Sequence, residues 1–453
     1  MTNKINAREI ALDMVIDILE KDGYIHKVIY NSLKDYQFLD KRDRAFITRV
    51  CNGTVKHYIT IDYIINKHAS LSTNKMKPLI RNILRTSVFQ LFYMDQVPIS
   101  AICNEAVKIS KKRGFNKLSG FVNGILRNIS REYSSRSIDV IEFPNKEKET
   151  SRYFSIKYST PLWLVDKIIN QYNEQITEEI LKDSLKEKHL TIRTNCNLIK
   201  PNDLKDNLTN QGLTIEENPD IHYAFKLSNY DYLDKLDDFN LGHFTVQDYS
   251  SMLVIEAAGI KDTDFVVDVC AAPGGKSLHA AERAKEVSAR DLTEYKINLI
   301  NENIKRLAIN NIKTKVWDAC VTDESLIRKA DIVIADLPCS GLGVLRKKPD
   351  IKYKIKQEQI NELVELQRKI LTVISDYIKI NGILLYSTCT INKEENIENI
   401  DWFVNNFDFE LENMNDYIPK GYQDENSQKG YLQLLPGAQE SDGFFIARLR
   451  RKG

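Results

Sequence analysis

Apolar residues recur at helical spacing from the start of the chain. Ala7, Ile10, Ala11, Met14, Val15, Ile18 and Leu19 fall on one face of a helix that Asn6 is placed to cap. The same pattern returns over residues 44–57, 77–94, 99–112 and 118–129, with breaks at Gly23, residues 70–74, Pro98 and Gly114. Nothing in residues 1–133 alternates with period two, so the spacing predicts an all-α domain there. Residues 134–160 are polar and irregular and read as a linker. Residues 161–240 mix the two periods. A strand-like alternation at 190–195, a helical pattern at 201–208 and a second strand at 223–227 predict a small α+β module.

From residue 241 the pattern becomes regular. Short apolar runs at 265–269, 286–289, 315–317, 332–335 and 383–386 read as strands, and helical patterns separate most of them, the longest over 355–380. Strand and helix in alternation predict an α/β domain over 241–453, with a doubly wound, mostly parallel, Rossmann-like sheet. A last run, 443–449, is expected as an antiparallel strand at the sheet edge.

Composition narrows the class. With 453 residues, 42% hydrophobic and 28% charged, the chain has material for two or three globular domains. No run approaches the roughly 20 apolar residues that cross a bilayer, and the first residues lack a signal peptide's apolar core. A cytoplasmic protein with no membrane association is expected. The seven cysteines form no CxxC and the histidines do not cluster near them, so neither a metal site nor a disulfide framework is expected. The net charge of +1 hides an asymmetry. Residues 1–140 hold 23 Lys and Arg against 13 Asp and Glu, an excess of ten, which leaves the remainder at minus nine. Such a basic N-terminal part points to RNA as partner.

The candidate chemistry lies in the α/β part. Cys270, Ala271, Ala272, Pro273, Gly274, Gly275 and Lys276 follow the apolar run 265–269 and precede a helical segment, an arrangement that offers backbone N–H groups to a ligand. A nucleoside triphosphatase loop is excluded, because Cys270 stands where its first glycine belongs, and no dinucleotide G-x-G-x-x-G occurs. Asp268, Asp291, Asp318 and Asp336 close successive strands. An acid about 20 residues after the turn suits ribose hydroxyls, which fits Asp291, and Asp318 could hold an adenine amino group. All four are expected at the carboxyl edge of the sheet, where open α/β folds bind ligands. Cys339 and Cys389 each close an apolar run at a neighbouring strand end. Two thiols beside a methyl donor suit covalent catalysis. C5 of a pyrimidine is a poor nucleophile until a thiolate adds at C6 and makes it enamine-like. Asp336 is placed to act on N3 of such a ring.

These residues resemble the RNA cytosine-5 methyltransferases that use S-adenosylmethionine. The motifs run Asp268 to Lys276, Asp336-Leu337-Pro338-Cys339-Ser340-Gly341 and Ser387-Thr388-Cys389-Thr390, followed by Leu435-Pro436-Gly437 and Asp442-Gly443-Phe444-Phe445. The resemblance implies that Cys389 is the nucleophile, that Cys339 assists product release, and that Lys276 lies near the donor and the catalytic pocket. It implies S-adenosylmethionine contacts from Cys270 to Lys276, Asp291, Asp318 and Asp336, and no metal. Leu337 stands where a small residue is usual, and Arg290 where an apolar one is common. In the N-terminal part, Asn6-Ala7-Arg8, Asp43 to Phe46, Pro98 to Glu105 and Phe121 to Arg127 resemble the NusB-type RNA-binding domain. A NusB-type domain fused to such a catalytic domain is similar to the Sun/Fmu branch of the family. That branch implies methylation of one cytosine in small-subunit (16S) ribosomal RNA.

Residues 346–350 (Arg, Lys, Lys, Pro, Asp) follow the Cys339 motif, and their cations suit phosphates flanking a target base. That base has to be a loop nucleotide or an extruded one. No self-association surface stands out, so a monomer without an obligate protein partner is expected. Two other readings remain at this level: transfer RNA as substrate, since the catalytic motifs are shared, and a non-catalytic RNA-binding assembly factor. The N-terminal domain argues against the first, the paired thiols and complete donor strip against the second.

Overall fold

The computed structural model describes residues 6–187, 189–438 and 441–453. They form two compact units: residues up to Lys186 with Leu345–Lys354, and the described residues of 187–344 and 355–453.

Among its described residues the first unit holds helices and no strand. The first helix, Ala7–Glu20, starts as its sequence dictates, with the Asn6 side chain accepting from the Arg8 N–H at 3.0 Å. Its apolar face, Ala11, Val15 and Ile18, packs into a core with Val50, Cys51, Ile61, Leu84, Val88 and Leu126. Helices Lys41–Lys56 and Pro78–Tyr93 meet where Gly53 faces Phe89. A Cβ there would lie 2.0 Å from the Phe89 ring, so the close approach requires glycine. Helices Ile99–Lys112 and Ser119–Glu132 pair nearby and, with the connection between them, expose Lys108, Lys111, Lys112, Arg113, Lys117, Arg127 and Arg131. Much of the N-terminal charge excess lies there.

Three expectations change in this unit. Residues 134–160 are not a bare linker. They include the helix Thr150–Lys157, whose Phe154 is fully buried, and the Ser159 hydroxyl accepts from the Ile59 N–H at 2.8 Å. A helix of about two turns in polar surroundings is too brief for its period to register. Residues 161–186, read with the α+β module, form helices Leu162–Tyr172 and Glu174–Ser184 and belong to this unit. Residues 346–350 turn inward rather than outward. Arg346 lies 3.8 Å from Asp183, Asp350 accepts from the Ile25 N–H at 3.1 Å, and Lys348 is the cation that stays exposed. The short helix Ile351–Lys354 continues this burial, with Lys352 Nζ on the Lys56 carbonyl at 3.2 Å and the Tyr353 hydroxyl on the Ser159 carbonyl at 2.8 Å.

The second unit carries two sheets. The smaller is antiparallel, from β1 (Leu190–Thr194), β2 (Thr214–Glu217), β3 (Ala224–Ser228) and β4 (Phe244–Val246), in the order β2-β3-β1-β4. Because β4 pairs with β1, the smaller sheet extends past residue 240, where the catalytic domain was expected to begin.

The larger sheet has β5 (Phe265–Asp268), β6 (Glu286–Asp291), β7 (Ile312–Val316), β8 (Ala330–Asp336), β9 (Ile378–Thr388), β10 (Phe409–Leu411), β11 (Tyr431–Leu434) and β12 (Phe444–Arg451). Its order is β10-β12-β9-β8-β5-β6-β7, with β5 to β9 parallel. Val266, Val267, Val287, Val333, Ile334, Leu384 and Leu385 are buried, as expected for a parallel sheet covered by helices on both faces. The mostly parallel Rossmann-like reading therefore holds. The edge assignment does not: β12 runs antiparallel between β9 and β10 and also pairs with β11. The strands that cover it have three and four residues, too few to show a period.

Candidate active site

The strand order decides where a ligand can lie. From β5 the chain builds outward through β6 and β7, then returns to the other side of β5 as β8. The connections after β5 and β8 diverge at their carboxyl ends, which leaves a crevice there. A cleft of about 220 Å³ occupies it, lined by Val246, Gln247, Asp248, Ser251, Asp268, Cys270 to Pro273, Gly275, Lys276 and Asp336.

The turn after β5 forms the floor. Ala271 N–H donates to the Arg290 carbonyl at 2.8 Å, Gly274 N–H donates to the Ala271 carbonyl at 2.7 Å, and Gly274 has φ +108°. A left-handed residue is needed at that point, and only glycine adopts it without strain. The Asp268 side chain lies beneath the turn. Its Oδ2 accepts from the Ser277 hydroxyl at 2.6 Å, while its buried Oδ1 has no protein partner. Burial pushes this carboxyl up to about 7, against the opposing hydrogen bond from Ser277.

Asp291 ends β6 with its carboxylate well supplied. Its Oδ2 accepts from the Ala272 N–H at 2.9 Å, and its Oδ1 from the Leu292 N–H at 2.7 Å and Lys296 Nζ at 2.8 Å. Asp318, two residues beyond β7, is exposed, and its Oδ1 accepts from the Cys320 N–H at 2.9 Å. Neither Asp291 nor Asp318 lines the cleft, although the Trp317 N–H to Asp291 carbonyl bond (2.9 Å) keeps them on adjoining strand ends. The unusual Arg290 is buried in an ion pair with Asp323 at 2.8 Å. The unusual Leu337 is buried too, its N–H on the Ser387 carbonyl at 3.1 Å.

Asp336 and the thiols gather at the junction of β8 and β9, where the register pairs Asp336 with Ser387. Asp336 Oδ2 accepts from Lys276 Nζ at 2.6 Å and its Oδ1 from the Ser387 hydroxyl at 2.8 Å. Lys276 also lies 5.3 Å from the Phe444 ring centroid. Three residues after β8 and one after β9, the sulfurs of Cys339 and Cys389 are 3.3 Å apart. Their hydrogen bond, then burial, hold the Cys339 thiol well above the ordinary cysteine value. Burial likewise pushes the Cys270 thiol up. Cys270 lies in the cleft wall, which neither Cys339 nor Cys389 lines.

The structure thus brings Cys339, Cys389, Asp336 and Lys276 together, with the turn Cys270 to Lys276 beside them. Gln247 and Ser251 also stand in the cleft wall, and neither carries a site role in the sequence reading. Nor does that reading assign a role to two glycines bonded, one through the other, to the Cys389 backbone, although Gly443 stands in the Asp442 to Phe445 motif. The Gly343 N–H donates to the Cys389 carbonyl at 3.0 Å and the Gly443 N–H to the Gly343 carbonyl at 2.8 Å. A pair of glycines a hundred residues apart gives no local pattern by which to find it.

A Rossmann-like sheet with a crevice at its switch point and two paired thiols at neighbouring strand ends, in one chain with an all-α unit that exposes many cations, fits an RNA methyltransferase. Residues 257–450 match the 16S rRNA methyltransferase RsmB/F family, residues 5–131 the NusB family, and residues 160–234 the ferredoxin-like domain of RsmF/B-like methyltransferases. The probable ribosomal RNA small subunit methyltransferase B of Bacillus subtilis is 34% identical over 99% of this chain and all of its own length. Its namesake from Synechocystis is 30% identical over the same shares. The crystal structure of PH0851 superposes with a TM-score of 0.80, at 24% identity over 99% of each chain. The chain belongs to the RsmB/F family of 16S rRNA methyltransferases.

Among the described residues, no cluster of His, Cys, Asp or Glu could hold a metal ion and no helix is long and apolar enough to cross a membrane.

Proposed function

We propose that this enzyme transfers a methyl group to C5 of a cytosine in small-subunit ribosomal RNA through a covalent adduct between Cys389 and C6 of the base. The observation that carries the reading is the pair of sulfurs 3.3 Å apart, next to an Asp336–Lys276 pair that also lines the cleft. The cleft suits S-adenosylmethionine. The orphaned Asp268 Oδ1 beside it is an acceptor in need of a donor or cation, and a Cβ at Gly275 would meet nothing nearer than Gln247 at 3.9 Å, so the floor is open to a ligand. Residues Cys270 to Lys276 and Asp336 would hold the methionine side, Asp291 the ribose and Asp318 the adenine. Lys296, half exposed, is the Asp291 partner that can give way. S-adenosylmethionine there supplies an electrophilic methyl group.

The chain's own residues do the rest. The Cys389 thiolate adds to C6, and the electron pair displaced onto C5 makes that carbon nucleophilic. A proton held between Asp336 and N3 draws charge into the ring and eases the addition, while Lys276 and Ser387 fix the Asp336 carboxylate. Once C5 carries the methyl group its proton passes to a solvent base, the C5–H electron pair forms the C5=C6 bond, and the C6–S pair leaves on Cys389 as its thiolate while the ring regains aromaticity. Cys339, at hydrogen-bond distance from the leaving sulfur, supports that last step. The exposed cations of the helices Ile99–Lys112 and Ser119–Glu132 supply phosphate contacts for the RNA. The enzyme acts as a cytoplasmic monomer.

The test is methyl transfer from labelled S-adenosylmethionine to unmodified small-subunit RNA, with transfer RNA alongside and bisulfite mapping of the product. Cys389→Ala should abolish transfer and Cys339→Ala should accumulate a covalent protein–RNA adduct. Transfer that survives Cys389→Ala, or label at a position other than cytosine C5, overturns the proposal.

A further inference from the structure

Glu395, seven residues after β9, carries a fully buried carboxyl group, and among the described residues no cation forms an ion pair with it. Such a group is expensive to bury unless donors surround it, and here they come from both thiol-bearing loops. Ser340, next to Cys339, donates twice: its N–H to Oε1 at 2.7 Å and its hydroxyl to Oε2 at 2.6 Å. The same hydroxyl lies 2.8 Å from that of Thr390, next to Cys389. Asn392 Nδ2 donates to Oε2 at 3.1 Å. Gln367, from the helix Gln357–Ile374, donates to Oε1 at 3.3 Å and to the Pro338 carbonyl at 2.8 Å. Burial raises the carboxyl against these donors. Asn396 completes the clamp, accepting from the Thr388 hydroxyl at 2.6 Å and donating to the Thr390 carbonyl at 3.0 Å. The residues following both cysteines are therefore tied, directly or through one hydroxyl, to a single carboxyl group.

We infer that Glu395 is a positioning residue of the two-thiol site: its carboxyl group locks the loop after Cys339 onto the loop after Cys389 and holds the two sulfurs in contact. The inference deepens the two-thiol reading and rests on it for its catalytic meaning. Glu395 does not line the donor cleft, so its loss should move turnover and leave donor affinity alone.

The experiment uses the full-length enzyme and two variants, Glu395→Ala and Glu395→Gln. Dibromobimane, which becomes fluorescent on bridging two thiols, reports sulfur proximity without RNA or donor, and peptide mapping locates the bridge. Wild type should bridge Cys339 to Cys389. Glu395→Ala should lose the bridge while each thiol still reacts singly with iodoacetamide, and its kcat should fall about 100-fold, the effect of an ångström-scale misplacement. The dissociation constant for S-adenosylmethionine should stay at the wild-type value. Glu395→Gln, which keeps one carbonyl acceptor, should lie between the two. Wild-type bridging in a folded Glu395→Ala overturns the inference, as does a loss of turnover matched by an equal loss of donor affinity. Should the alanine variant fail to fold, Glu395→Gln decides: wild-type bridging and kcat in that variant also overturn it. The bridging readout needs no methyl transfer, so its outcome is separable from that of Cys389→Ala.

Discussion

The contact between Gly343 and Gly443 makes a single methyl group a sharp probe of the thiol site. A Cβ on Gly343 would lie 1.9 Å from the Gly443 carbonyl oxygen, 2.5 Å from its carbon and 2.9 Å from the Cys389 carbonyl oxygen. All three are backbone atoms, so no side chain can swing away, and the segments must part by at least about 1 Å to restore a 3.0 Å contact. Parting them strains two hydrogen bonds, Gly343 N–H to Cys389 O and Gly443 N–H to Gly343 O, each worth about 1 kcal/mol. Overpacking adds about 1–3 kcal/mol. Gly343→Ala should therefore destabilise the second unit by about 3–5 kcal/mol, or about 1–2.5 M in urea midpoint at a slope of about 2–3 kcal/mol/M. Because the Cys389 carbonyl is one of the atoms displaced, turnover should fall about 100-fold as well. Urea unfolding followed by near-ultraviolet circular dichroism and single-turnover methyl transfer read the two effects. Gly124→Ala is the control. Nothing lies within 4 Å of its Cβ in the helix Ser119–Glu132, and alanine there should stabilise by up to about 1 kcal/mol. A Gly343→Ala enzyme with wild-type midpoint and turnover would refute the argument from backbone contact.

Two further outcomes follow from buried charge. The folded Asp268 carboxyl stands near 7, above its unfolded value of 3.8. Its contribution to stability is therefore complete below about pH 4 and lost as pH rises through about 7. Relative to Asp268→Asn, the wild-type enzyme should lose stability between those limits in urea titrations without donor; parallel pH profiles would count against it. Lys352 is buried against two carbonyls, and burial, followed by the Lys56 charge, holds its amine well below the usual lysine value. Lys352→Met should leave the first unit as stable or up to about 4 kcal/mol more stable, as read by thermal unfolding, whereas a loss of several kcal/mol would show that the two carbonyl contacts dominate.

What the sequence revealed depended on range. The helices of residues 7–132 and the parallel strands were legible because each carries its own period over several turns or in a buried run. The acids Asp268, Asp291, Asp318 and Asp336 were legible because strand ends in a parallel sheet share one edge. The helix Thr150–Lys157 was lost in a polar stretch, and the inward turn of Arg346 and Asp350 could not be read from a run that looks basic. Glu395 was missed for another reason. It follows Cys389 in a segment rich in Glu and Asn, and only tertiary structure separates this fully buried acid from its half-buried neighbour Glu394.

The excursion of residues 345–354 has a consequence for synthesis. The first unit is the first to emerge from the ribosome, yet Asp350, Lys352 and Tyr353, which satisfy its Ile25 amide and its Lys56 and Ser159 carbonyls, are made about 160 residues after Lys186. At about 5–20 residues per second that is a delay of roughly 10–30 s. Through that interval the nascent helical unit lacks the segment that closes it, while β5 to β8 are themselves being made in turn. Completion of the N-terminal unit is thereby timed to the appearance of the Cys339 loop, and a nascent chain stalled before residue 354 carries neither half in finished form.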